Sequence, residues 1–395
     1  MTDPVALQLS ADMQGYVDRG DVPGLATLVL RAGEEVHSDV LGQRDFGDAP
    51  PLRRDALWRL GSMTKTIVSA LTLMLVEDGR LRLTDPVDRW LPEFASLRVL
   101  NAPDGPLDDT RPARRAMTVL DLLTHRAGLP CHTLPQGPIG RAAVKLVGAS
   151  SQRADIPTDA WIAELAALPL LHEPGERFLM GLASDVLGAL IERVTKVRLP
   201  ELLRERLFAP LGMDDTSFWA GEDSIDRLGP TYSVGWLTGK HTKLDPGRGG
   251  YWNRPPAHPS GGGGLIATID DDARFGAMLL AAGQGSGDSL LSRASVGLMT
   301  TNFLTPAQRA VPFFGTDYWR DRGFGLGVFV TDNAADRPWL GAPGQYGWRG
   351  AFSTYWFNDP ARELTAVLMA PVSWPAVIPT LLSDFERGVY AAGWA

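Results

Sequence analysis

Ser62-Met63-Thr64-Lys65 places a hydroxyl and an amine three residues apart at the head of a strongly apolar run. On a helix, residues i and i+3 share a face, so the two groups come within side-chain reach. A helix N-terminus adds positive potential and unpaired N–H groups, which favour an alkoxide and the oxyanion of acyl transfer. A nearby ammonium lowers the serine pKa, whereas a neutral, desolvated lysine accepts its proton. By itself the pair is only suggestive: with 19 Ser and 5 Lys, chance gives one in about four such chains. The setting strengthens it, because a Lys that opens a buried helix must find a partner.

That helix is predicted over 62–77, where Ile67, Val68, Leu71, Leu73, Met74, Leu75 and Val76 leave no polar face. Gly79 follows as its stop. Residues 23–45 read as two strands around a turn at Arg31-Ala32-Gly33. Between 86 and 250, helical patterns at 117–125, 158–167, 182–196 and 199–207 alternate with loops at 102–113, 129–140 and 222–250. A glycine run (PSGGGG, from Pro259) precedes a helical pattern at 270–282. Strand signals return at 323–331, 351–358 and 363–371, and a last helix is expected over 375–391. Strands at both ends with helices between them predict an α+β fold: an antiparallel sheet flanked by helices, with an inserted helical domain. The expected division is 1–85 with 252–395 for the sheet domain, and 86–251 for the insertion.

The 395 residues carry a net charge of −8, and no basic run is present, which argues against a nucleic-acid partner. No apolar stretch is long enough to span a bilayer. The N-terminal segment lacks the charged and apolar regions of a signal peptide, so a cytoplasmic protein is expected. Cys131 is the single cysteine, which excludes an internal disulfide or a cysteine-cluster metal site. His37, His132, His172 and His241 show no metal-ligand spacing. Neither metal nor organic cofactor is expected.

Several longer segments carry a resemblance: 57–94, 119–129, 174–195, 207–218, 259–275 and YGWRGAFSTYWFNDP at 346–360. Together they resemble the serine β-lactamase/penicillin-binding-protein superfamily, most nearly the class C β-lactamase-related esterases (family VIII carboxylesterases). The resemblance implies a β-lactamase/transpeptidase-like fold with Ser62 as acylated nucleophile and Lys65 as its partner. It puts Trp348-Arg349-Gly350 in the place of the Lys-Thr-Gly strand motif and makes the N–H groups of Ser62 and Ala351 the oxyanion hole. Trp348 for Lys offers an apolar wall where β-lactamases hold a carboxylate, so a small neutral ester is the expected substrate. A β-lactam or amide would be a side substrate. Arg349 restores one positive charge, on the opposite strand face from its neighbours, and Tyr346 borders the same segment.

The chain departs from the family at one catalytic position. The register set by Ala183-Ser184-Asp185-Val186-Leu187-Gly188 puts Met180 where the family carries a proton-shuttling Tyr. A thioether neither gives nor takes a proton, and a positioned acid–base group is worth about 10²–10⁴ in rate. Three readings are open: an introduced substitution, a natural site in which Lys65 or another group serves as base, or a ligand-binding protein without catalysis. Tyr232, Tyr251 and Tyr346 are weak stand-ins, as is His258; His125 reads as a packed structural residue. The expectation is a serine esterase acting through an acyl-enzyme on Ser62, with an acyltransferase as the alternative.

Overall fold

The computed structural model describes residues 4–131, 137–147, 155–235, 238–284, 290–313, 317–332, 341–373 and 378–394. His132, noted in the sequence, lies outside them.

The chain opens with helix α1 (Pro4–Asp18), which the sequence pattern does not announce. Strands β1 (Gly24–Arg31) and β2 (Glu34–Gly42) follow as a hairpin. Its two central residues, Ala32 and Gly33, have φ of 47° and 82°, the left-handed pair that matches strand twist in a tight hairpin. The short strand β3 (Trp58–Arg59) leads into helix α2 (Thr64–Glu77). Helices α3 (Val119–Leu123), α4 (Thr158–Ala166) and α5 (Ala183–Thr195) belong to the central part of the chain. After them β4 (Ile266–Ala267) pairs with β3, and α6 (Ile269–Gln284) follows. The C-terminal part supplies β5 (Arg322–Phe324), β6 (Phe329–Thr331), β7 (Tyr346–Arg349), β8 (Tyr355–Asp359), β9 (Leu364–Met369) and helix α7 (Ile378–Ala391).

The principal sheet runs β2-β1-β9-β8-β7-β6-β5, with every neighbouring pair antiparallel. Both faces are covered. Leu25 and Val29 of β1 join a core with α1 and α7, whereas Ala26 and Leu28 join the larger core around α2 and α6. β9 alternates likewise, and all six of its residues are buried, which explains why it reads as one continuous apolar run.

Two segments differ from the expected pattern. The single strand anticipated at 323–331 is the hairpin β5–β6. Gly327 turns it at φ 82°, and a Cβ there would lie 2.5 Å from Ser69 Oγ; Thr66 Oγ1 donates to its carbonyl at 2.8 Å. The turn is thus seated on α2, which period-two alternation cannot reveal. The loop expected at 222–250 contains a hairpin, Thr231–Val234 with His241–Asp245, joined in parallel to Val372–Ser373. The sequence there lacks regular alternation because much of the second strand is exposed.

Lys65 rides on α2, the helix enclosed between the sheet and the central helices. Residues 64–75 are all buried, and Gly79 at φ 71° ends the helix as anticipated. Each buried Leu, Ile or Val side chain contributes roughly 1.5–3 kcal/mol. That packing anchors an ammonium-bearing side chain in surroundings that disfavour its charge.

Candidate active site

Between β3 and α2 the chain makes a single tight turn, Gly61–Met63. It is closed by the N–H groups of Met63 (to Leu60 O, 3.2 Å) and Thr64 (to Gly61 O), neither of which uses the N–H of Ser62. Gly61 has φ 52°, and a Cβ there would lie 2.9 Å from the Ala351 nitrogen and 3.4 Å from Gly350 Cα. The turn that carries Ser62 and the end of β7 therefore touch backbone to backbone, and no side chain fits between them. Thr354 Oγ1 donates to Leu60 O at 3.0 Å. Gly350 N–H donates to Thr354 O at 2.8 Å, and Ser353, at φ 61°, donates to Val372 O at 2.6 Å. These contacts fix the 350–354 turn, where Ala351 is exposed and its N–H has no partner among the described residues.

Lys65 lies one turn into the helical segment, with Nζ 3.0 Å from Ser62 Oγ and 2.5 Å from Gly262 O. Ser62 is half-buried and Lys65 buried. Desolvation lowers the Lys65 pKa to about 8, opposed by the Asp185 carboxylate and by Cys131. Asp185, in the first turn of α5, accepts from Ser260 Oγ at 2.5 Å and from Gly262 N–H at 3.1 Å. Burial pushes its carboxyl up, against the opposing pull of Ser260, Lys65 and Gly262. A chain of contacts thus runs from Asp185 through Gly262 to Lys65 and Ser62.

The glycine run is where α5 and this backbone meet. A Cβ on Gly261 would fall 2.3 Å from Ser184 O, and one on Gly262 would fall 2.6 Å from an Asp185 carboxylate oxygen. The close approach at these glycines is to α5 and is buried. Sequence reasoning missed Asp185, Gly262 and Thr354 as site-building residues. The available signal was the buried Lys, whose ammonium must have acceptors besides one hydroxyl.

Met180 is half-buried against the aromatic core of the α1/α7 face. Its carbonyl accepts from Cys131 Sγ at 3.0 Å, and Cys131 is near enough to act on the Lys65 charge. Arg349 lies with its guanidinium 4.4 Å above the Tyr318 ring, half-exposed and without a carboxylate partner among the described residues.

Other expectations need correction. Trp348 is 1% exposed and packs edge-on to Phe324 at 5.1 Å, so its ring belongs to the core and presents no wall to a substrate. Tyr346 is equally buried, its hydroxyl accepting from Asn358 Nδ2 at 2.9 Å. Neither Tyr346 nor Tyr232, which donates to Asp45, is free to replace the missing phenol. His258 stacks on Trp161 at 4.3 Å. His125 is buried, with Ser184 Oγ 3.5 Å from Nε2; desolvation, then Lys65, lowers its pKa to about 3.

Comparison with known proteins decides the family to which this geometry belongs. The beta-lactamase family profile matches residues 9–373. The chain belongs to the beta-lactamase family. It is 38% identical to protein Rv1367c of Mycobacterium tuberculosis, over 90% of this chain and 87% of that protein. With esterase EstB of Burkholderia gladioli the identity is 30%, over 98% of this chain and 95% of the esterase. Among solved structures, EstCE1, a hydrolase with promiscuous acyltransferase activity, superposes with a TM-score of 0.82 at 25% identity, covering 98% of each chain. Beta-lactamase-family relatives of this chain thus include an esterase and a hydrolase that also transfers acyl groups. No helix among the described residues is long and apolar enough to cross a membrane.

Proposed function

We propose that the protein is a serine hydrolase that cleaves small esters through an acyl-enzyme on Ser62, with transfer to an alcohol as a second outlet. The observation that carries this reading is the Lys65 Nζ–Ser62 Oγ contact of 3.0 Å, with the lysine desolvated to a pKa of about 8. An amine tuned close to neutral pH is fit to take the serine proton and return it. In the first step Ser62 Oγ bonds to the ester carbonyl carbon and its proton passes to Lys65. The N–H groups of Ser62 and Ala351 are suited to hold the resulting oxyanion. The C–O bond to the alcohol then breaks, and Lys65 protonates the departing oxygen. Water, deprotonated by Lys65, releases the acid; an alcohol in its place yields a new ester.

Met180 gives this site no phenol, so Lys65 alone carries the proton. The acyltransferase outlet is supported by EstCE1, whose description combines both activities. The test is hydrolysis of p-nitrophenyl esters by the protein and by its Met180→Tyr variant, with and without added alcohol. The reading expects turnover, a roughly tenfold or greater gain in Met180→Tyr, and ester product when alcohol competes. Absence of turnover in both proteins would overturn it.

A further inference from the structure

Trp252 is only 2% exposed, yet its indole touches all three backbone segments that build the site. Its Nε1–H donates to Gly264 O, in the glycine run, at 2.9 Å. The guanidinium of Arg59, three residues before Ser62, lies 5.1 Å from its ring centroid. Phe352, which follows Ala351 directly, meets it edge-on with centroids 6.0 Å apart and planes at 86°.

Each contact falls where the site depends on backbone placement. Gly264 N–H donates to Ser260 O at 3.0 Å, which closes 260–264 into one turn. Asp185 holds the first half of that turn through Ser260 Oγ and Gly262 N–H, and Trp252 holds its last residue. Gly262 O, the acceptor of Lys65 Nζ, lies between these two anchors. The other two segments are tied together through Leu60, which follows Arg59. Its N–H donates to Leu265 O at 2.9 Å, and its carbonyl accepts from Thr354 Oγ1. The Trp252 ring closes this frame from behind, between Arg59 and Phe352.

The indole is itself held with care. Asp245 is buried, pairs with Arg59, and accepts from the N–H groups of Gly247 at 2.9 Å and Tyr251 at 2.7 Å. The carboxylate thus clamps the turn that presents Trp252 to the strand that carries Arg59. Ala220 N–H donates to the Trp252 carbonyl at 2.8 Å. Any large apolar side chain could fill the space; a directed N–H together with a face for a cation is what an indole adds.

We propose that Trp252 is a positioning residue for the reaction at Ser62. Its N–H fixes the glycine run, and thereby the carbonyl that receives Lys65, while its ring keeps the Ser62 and Ala351 segments in register. It acts from behind the site without touching substrate. The inference rests on the serine-hydrolase reading and adds a residue to it.

The test is p-nitrophenyl acetate hydrolysis by the whole protein and three variants. Trp252→Phe keeps an aromatic ring and removes the donor. Benzothienylalanine at position 252 keeps the indole shape and deletes only the N–H. Trp356→Phe is the control for lost packing, because Trp356 is buried beside Phe275 and its Nε1 has no hydrogen-bond partner among the described residues. Trp252→Phe should lower kcat about tenfold or more, with KM changed by less than about twofold. The benzothienyl variant should lower kcat at least about threefold with Tm nearly unchanged, and it decides alone if Trp252→Phe does not fold. Trp356→Phe should lower Tm and leave kcat in place. A benzothienyl variant with full kcat, or a Trp356→Phe loss of kcat equal to that of Trp252→Phe, would overturn the inference and leave the serine-hydrolase reading standing. An unmodified protein without turnover would overturn that reading, and this inference with it.

Discussion

In the proposed reaction, Lys65 must be basic enough to take a proton from serine and yet lose its own proton near neutral pH. Burial supplies the second property, because desolvation disfavours the ammonium and lowers its pKa to about 8. About a tenth of the molecules then hold a neutral amine at pH 7. For a base, the sign is fixed: kcat/KM for ester hydrolysis should climb about tenfold per pH unit below 8 and flatten above it. His125, with its pKa lowered to about 3, is neutral throughout that range and adds no second limb. A profile that falls as pH rises through 8 would mean that the ammonium, and not the amine, is the working form. At this scale the contact between Ser62 and Lys65 was legible in the sequence, because it depends on local spacing. Sequence reasoning misjudged Trp348 and Tyr346, because residue type and strand position do not say which side chains the rest of the sheet encloses.

α2 carries Lys65 and α5 carries Asp185. An apolar surface on every side forces burial of α2, and that much is legible in 62–77 without any partner being known. The role of α5 is not, since it acts through the glycine run some 75 residues later, where Asp185 orients Gly262 and thereby the carbonyl that receives Lys65. Asp185→Asn separates charge from scaffold, because its amide oxygen still accepts from Ser260 and Gly262 while the charge beside Lys65 disappears. The Asn variant should fold and shift the limb of the pH profile to lower pH by roughly one unit. Asp185→Ala should lose most activity along with thermal stability. An Asn variant whose pH limb stays in place would show that the carboxylate does not act on Lys65.

For the molecule as a whole, strands from both chain ends meet in one sheet, and the turn that carries Ser62 is held between β7 and the glycine run. The order strands, helices, strands made that architecture readable, since it leaves few ways to bury both faces. The helix at 4–18 and the hairpin at 231–245 escaped because neither shows the periodicity of its element; tertiary pairing with α7 and with Val372–Ser373 stabilises them instead. Everything proposed about activity depends on Ser62 being a nucleophile open to substrate. The most direct measurement is the intact mass of the protein after a serine-directed fluorophosphonate, with peptide mapping and Ser62→Ala as control. The expected result is one adduct per chain, on Ser62, forming faster as pH approaches 8 and absent from Ser62→Ala. An unlabelled protein, or an adduct on any other residue, would contradict the account.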